Sequence, residues 1–478
     1  MKKIATLREA AGFKAYADSL GVSLPFDETV QSGPGTPLAR THEINGKVIG
    51  NSFAILPMEG FDGTTDGLPT ESSHRRWQRF GTSGAKLFWG GEAVAICPEG
   101  RGNPNQLMML ESTVGSMSEL REGVVKAHAE RFGTGDDFMM GIQLTHAGRL
   151  SRPHDRKRWE SKIIYHNPLI DHRTGVTPEH PVLSDEEIRR VINDFIQASI
   201  LSQQAGFDFV EIKCCHGFLL HEIMSAVDRT GPYGGSFENR TRFLSEIVSG
   251  IRKEAPDLEI AVRLSAFDFL PFQHNCEGSG EPVPFIGERY PYAFGGDGTG
   301  LGIDLTETLA FLDLLIERDI KLVSISAGAS YNTHLMMPTF MPDVNGYKPP
   351  EDPLVGIARL ISVTNQLKQQ RPNLIYIGAG YSYLQQWLPN IAQAAVRKGM
   401  VDIVGIGRMA LCYPGIVADI LEGEPLKRNL LCRSCLDCRS SHILGLTSGC
   451  YAIDEYYRDS PSKKELLRLK RERRQAQA

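Results

Sequence analysis

The chain has 478 residues, 41% of them apolar and 23% charged, with a net charge of −5 at neutral pH. That is enough chain for a large core, and an ordinary balance for a globular protein. The acidic balance gives no reason to expect nucleic acid as a partner. No run of about 18 apolar residues is present, and the first residues, MKKIATLREAAGFKAYADSLG, lack an unbroken apolar stretch. The expectation is therefore a cytoplasmic protein with no membrane span or signal peptide.

Eight short apolar runs have the character of strands: Phe53–Leu56, Leu87–Trp89, Phe138–Leu144, Phe209–Ile212, Ile260–Leu264, Leu322–Ile325, Leu374–Ile377 and Ile403–Ile406. Between them lie amphipathic stretches, including Ser184–Ala205, Phe237–Glu254, Asp304–Arg318, Pro353–Gln370 and Tyr383–Lys398. Apolar runs alternating with helices imply parallel strands covered on both sides. Eight such units predict an α/β fold, a (β/α)8 TIM barrel with insertions. The segment from Phe267 to Gly302 is rich in Gly, Pro and aromatic residues. It is expected as a lid over the active face, with a surface or oligomer-contact loop as the bland reading.

The run from Gly206 to Phe243, GFDFVEIKCCHGFLLHEIMSAVDRTGPYGGSFENRTRF, carries the most information. It opens as a strand, places Lys213 and His216 where that strand runs out, and starts a helix at Ser236. Nitrogen bases at the carboxyl end of a parallel strand are where such folds place their chemistry. Gln143 ends the third strand and has a mixed donor–acceptor amide, and Arg263 ends the fifth. Gly378, Gly380, Gly407 and Arg408 close the seventh and eighth, the usual barrel phosphate site. Gly378-x-Gly380 is followed by Tyr383 where a dinucleotide fingerprint needs a third glycine, so no separate nicotinamide domain is read.

The Gly206–Phe243 run resembles the old yellow enzyme (NADH:flavin oxidoreductase) family, which typically reads VEIH-x-x-HGYL…YGGS-x-ENR-x-RF there. The resemblance covers roughly Ile44 to Ala418. It implies FMN at the barrel mouth, contacted by Pro57, Met58, Ala93, Gln143, Arg263, Gly378, Gly380, Gly407 and Arg408. The family's substrate-holding His pair corresponds to Lys213 and His216, and its proton-donating Tyr to Phe218. Either Tyr331 or a lid tyrosine replaces that donor, or the reaction needs no proton there. Glu59 stands where family members commonly carry Thr or Cys, and is read as an anion for a cationic substrate, a base, or a capping residue.

Nine cysteines are present, and four of them follow the barrel as Cys432-x2-Cys435-x2-Cys438-x11-Cys450. In a large chain without an export signal, such a cluster favours a metal over disulfides. It resembles the iron–sulfur segment of 2,4-dienoyl-CoA reductase and trimethylamine dehydrogenase relatives, with one residue fewer between the second and third cysteines. A 4Fe–4S cluster is expected, with zinc as the alternative.

The domain boundaries expected are 1–43 (an extension without assigned function), 44–425 (barrel), 426–460 (cysteine-rich segment) and 461–478 (basic helix). The last is read as solvated from its seven basic and two acidic residues between Lys463 and Arg474. The whole is expected to be a homo-oligomeric FMN oxidoreductase reducing an activated C=C bond of a small molecule. NAD(P)H is a candidate reductant, and an external carrier or partner subunit exchanges electrons with the cluster. The alternatives are an amine dehydrogenase or demethylase passing electrons outward, and a non-catalytic electron-relay subunit.

Overall fold

The computed structural model describes residues 1–342 and 344–477. Eight parallel strands form its centre: β1 (Phe53–Ile55), β2 (Leu87–Phe88), β3 (Met139–Thr145), β4 (Phe209–Cys214), β5 (Glu259–Ser265), β6 (Leu322–Ser326), β7 (Ile375–Gly378) and β8 (Ile403–Ile406). Each pairs with the next, and β8 pairs with β1, so the sheet closes on itself as a (β/α)8 barrel. All eight expected strands are found within a residue or two of their predicted ends. The reason is that strands buried on both faces read as unbroken apolar runs. A short strand, Ala93–Ala95, continues beside β3.

The barrel interior is filled in layers set by parallel register. Gly141 of β3 faces Phe209 of β4, and a Cβ on Gly141 would lie 2.2 Å from the Phe209 ring. One pleat higher, Gln143 lies opposite Glu211, and above that Lys213 lies opposite Arg263. Trp89 packs on Phe209 at 5.2 Å between ring centres and donates its indole N–H to Glu211. The polarity therefore rises toward the carboxyl ends of the strands, which is what places a site there.

The covering helices start where their caps allow. Ser184 and Glu187 form a capping box for Asp185–Gln204, Ser236 caps Phe237–Glu254, and Asp352 caps Pro353–Gln370. Residues 1–43 strap the barrel's last connections. Phe13 and Phe26 pack on Trp387, whose indole N–H donates to the Leu7 carbonyl at 2.9 Å, and the Tyr16 hydroxyl reaches Asp352.

The segment from Phe267 to Gly302 is ordered differently from a lid. It forms a small hairpin, Phe272–His274 with Gly280–Pro282, and a satellite cluster of Leu270, Tyr290 and Ala293 with Leu169. Tyr290, with Phe285 and Tyr292 against it, belongs to that cluster, while Phe267, Phe269, Phe272 and Phe294 join the main core, and none of them lines the cavity. The basic helix runs Pro461–Gln477, and Ala478 and the Arg474 side chain lie outside the described residues. It is not wholly solvated: Lys463 and Lys470 both reach Asp437, at 3.2 and 2.6 Å.

Candidate active site

A cavity of about 430 Å³ opens at the carboxyl ends of the strands. Pro57, Met58 and Glu59 follow β1, Gln143 lies in β3, Lys213 and His216 end β4, and Arg263 lies in β5. Tyr331 follows β6, Gly380 follows β7, and Gly407 with Arg408 follow β8. All of these line the one cavity. Ala93 and Gly378 do not. Ala93 is buried in its strand, where its carbonyl accepts from the Gln106 amide, and Gly378 lies against the Tyr381 ring.

The Gln143 amide nitrogen donates to the buried Glu211 carboxylate, 2.8 and 2.7 Å from its two oxygens, which leaves the Gln143 carbonyl oxygen and second amide hydrogen for a ligand. Burial pushes Glu211 up, and Arg263, Gln143, Lys213 and Trp89 pull it back toward the carboxylate. Arg263 Nε and Arg408 Nη1 are buried without a protein partner. Their strands, β5 and β8, stand three places apart round the barrel. Orphaned buried guanidinium atoms are costly unless something anionic meets them. Gly380, at φ 93°, holds a left-handed turn that suits glycine at the end of β7. The donor set therefore fits a long ligand with an imide-like edge, an electron-rich ring and a phosphate, which is what FMN presents.

Lys213 and Glu59 form an ion pair at 2.8 Å, with the lysine side chain 2% exposed and the glutamate 25%. The Lys213 ammonium also lies 3.5 Å from the centre of the Phe218 ring, a cation–π contact. The charge of Glu59 is thus matched within the chain and does not by itself favour a cationic substrate. His216 sits at φ 65° and its Nε2 meets the Ser326 hydroxyl at 2.7 Å. Burial, then Arg263 and Lys213, hold its pKa well below the usual value, so the ring is neutral. Burial also raises the Tyr331 hydroxyl, with Asp268 adding to it. Asp268, 1% exposed, is itself pushed up to about 7 by burial.

Four cavity residues that the sequence reading did not single out come from two other elements. Arg152, Trp159 and Arg173 belong to the long connection after β3, and Arg439 to the helix Asp437–Ile443 of the cysteine-rich segment. The run SRPHDRKRWE, 151–160, is the signal that could have found the first two. Cys438 lines the same cavity, so the cysteine-rich segment forms one of its walls.

The thiols of Cys432, Cys435, Cys438 and Cys450 share one neighbourhood, each acting on the others' ionisation. A fifth, Cys412, joins them: its hydrogen bonds are the first cause pulling Cys432 down to about 6 and Cys450 to about 7. Among the described residues no three His, Cys, Asp or Glu side chains are gathered as a ready-made metal cage. The donor type, four thiols from one segment, is nevertheless the one an iron–sulfur cluster or zinc takes.

The profile of the NADH:flavin oxidoreductase / NADH oxidase family matches residues 47–277. An NADPH dehydrogenase of Halalkalibacterium halodurans is 31% identical over 254 residues, 52% of this chain and 67% of that protein. The chain belongs to the NADH:flavin oxidoreductase / NADH oxidase family. NADH:flavin oxidoreductase FG08077 of Gibberella zeae is 34% identical over 196 residues, 38% of this chain and 45% of its own length. The chain thus spans about half the length of that relative. Among solved structures, a 2-naphthoyl-CoA reductase in complex with 2-naphthoyl-CoA superposes with a TM-score of 0.66 at 19% identity. That superposition covers 89% of this chain and 58% of the other, and shows a shared fold. Family membership accounts for the barrel. Among the described residues no helix is long and apolar enough to cross a membrane.

Proposed function

We propose that the chain is an FMN-dependent oxidoreductase that reduces an activated C=C bond of a small organic molecule, with NAD(P)H as the source of two electrons. The observation that carries this is one cavity, lined by Gln143, in which Arg263 Nε and Arg408 Nη1 are buried without a partner among the described residues. Bound there, FMN supplies a hydride at its N5 position and can exchange electrons one at a time. Gln143 would accept from the pyrimidine edge, Arg263 would face the negative charge of the reduced ring, and Arg408 with Gly380 and Gly407 would hold the phosphate. Lys213, kept charged beside Glu59, and the neutral His216 would polarise the substrate carbonyl. The substrate carbon left carbanionic after hydride addition then takes a proton, for which Tyr331 is the hydroxyl at hand in place of the missing family tyrosine.

The proposal includes a 4Fe–4S cluster on Cys432, Cys435, Cys438 and Cys450, which supplies a one-electron outlet when bound. It also includes an external carrier or partner subunit, self-association, and a reducing cytoplasmic setting, which the nine free thiols support. The amine-oxidising alternative loses its one supporting feature, since Glu59 is engaged by Lys213.

Visible absorption and EPR of anaerobically purified protein test the reading. Flavin bands over a broad sulfur-to-iron absorption, bleached by NAD(P)H, are expected. Folded protein that is colourless and refuses added FMN refutes it; zinc in place of iron refutes the cluster alone. Flavin that bleaches only through a partner protein would make the chain a relay subunit.

A further inference from the structure

Among the described residues, not every cation lining the cavity has an ion-pair partner. Arg149 is matched by Asp171 and by Glu222 at 2.7 Å, and Lys213 by Glu59. Arg263 and Arg408 are assigned to the flavin in the reading above, on which this inference rests. Arg152 and Arg173 are left over. Among the described residues, neither has a carboxylate oxygen within 4.0 Å. Arg152 donates from Nη1 to the Arg156 carbonyl at 3.2 Å, its Nε is buried without a partner, and its guanidinium stacks 4.2 Å from the centre of the Trp159 ring. Arg173 donates from Nη1 to the Phe272 carbonyl at 2.9 Å. Each thus keeps most of its five N–H donors for something else. Arg439 brings a further guanidinium into the same wall, and its charge bears on Arg152.

Guanidiniums such as those of Arg152 and Arg173, lining a cavity with no carboxylate of the described residues within reach, are costly, and the cost is offset when an anion binds. Phe61, Leu150, Trp159 and Ile170 line the same cavity and give it apolar wall. We propose that this lobe recognises the carboxylate of the substrate, so that the chain acts on an unsaturated or aromatic acid in preference to a neutral enone or a cationic amine. A planar, conjugated acid suits both features: its ring or double bond lies along Trp159, and its carboxylate meets the fork of an arginine bidentately. Burial lowers both Arg152 and Arg173, as expected of guanidiniums waiting for a counter-ion.

The test is a calorimetric titration of the FMN-loaded full chain with benzoate and with benzamide, equal in size and different in charge. Benzoate is expected to bind at least about tenfold more tightly. Arg152→Gln and Arg173→Gln, each with unchanged FMN content and melting, are expected to weaken benzoate about tenfold and leave benzamide alone. Equal affinity for the two probes, or benzoate unmoved in both variants, overturns the proposal. So does a result in which the variants weaken NADPH and not benzoate, because the lobe then serves the reductant's phosphate. Repeating the titration on FMN-free protein separates this inference from its parent. Benzoate selectivity in protein that never takes FMN keeps the anion site and sinks the flavin reading; FMN-loaded protein without selectivity does the reverse.

Discussion

Removing Glu59 should damage this protein far more than removing the lysine it pairs with. At 2.8 Å and an effective dielectric of about 20, the gross attraction of the pair is about 6 kcal/mol, most of it consumed by desolvating Lys213. The two partners are not equally buried: the lysine side chain is 2% exposed and the glutamate 25%. Glu59→Ala leaves a buried ammonium with the Phe218 ring as its remaining close partner, and is expected to cost about 3–5 kcal/mol. Lys213→Met leaves a carboxylate that can rehydrate, at about 1 kcal/mol. The double variant should return to within about 1 kcal/mol of Lys213→Met, because the stranded charge has gone. Urea unfolding of the four proteins, followed by far-UV circular dichroism, measures the cycle. Equal costs for the two single variants, or a harmless Glu59→Ala, would refute the view that Glu59 holds the lysine charged inside the barrel.

Asp268, with its pKa pushed up to about 7, keeps a proton that the unfolded chain gives up near 4. Its contribution to stability is therefore full below about pH 4 and lost as pH rises toward 7, and Asp268→Asn should flatten that part of the stability–pH curve. Gly141→Ala puts a Cβ 2.2 Å from the Phe209 ring and should lower stability by about 1–3 kcal/mol in thermal melts. Glu211→Gln removes the carboxylate that orients the Gln143 amide, and FMN fluorescence titration should show affinity about tenfold weaker. Cys438→Ser should abolish iron and sulfide in elemental analysis while Cys97→Ser, buried away from the cavity, leaves both unchanged.

The strands and their order were legible from local pattern. Phe209–Cys214 reads as a strand because every residue in it is buried, and Lys213 and His216 mark its end by being polar there. What the long connections do was not legible. Phe267–Gly302 has the composition of a lid, yet composition does not say against which neighbour its aromatic residues will be buried. The connection after β3, whose basic stretch at 151–160 looks like a solvated patch, instead supplies Arg152 and Trp159 to the cavity.

By itself the sequence determined the barrel, its closure by eight parallel strands and the identity of the groups at each strand end. These follow from periodicity and burial, which act over a few residues at a time. Only the tertiary structure decided which charges meet. Glu59 finds Lys213 across 154 positions, whereas Arg152 and Arg173 meet no carboxylate among the described residues. Electrostatic pairing depends on distance in space and on exclusion of water, and neither is written in the spacing of residues along the chain.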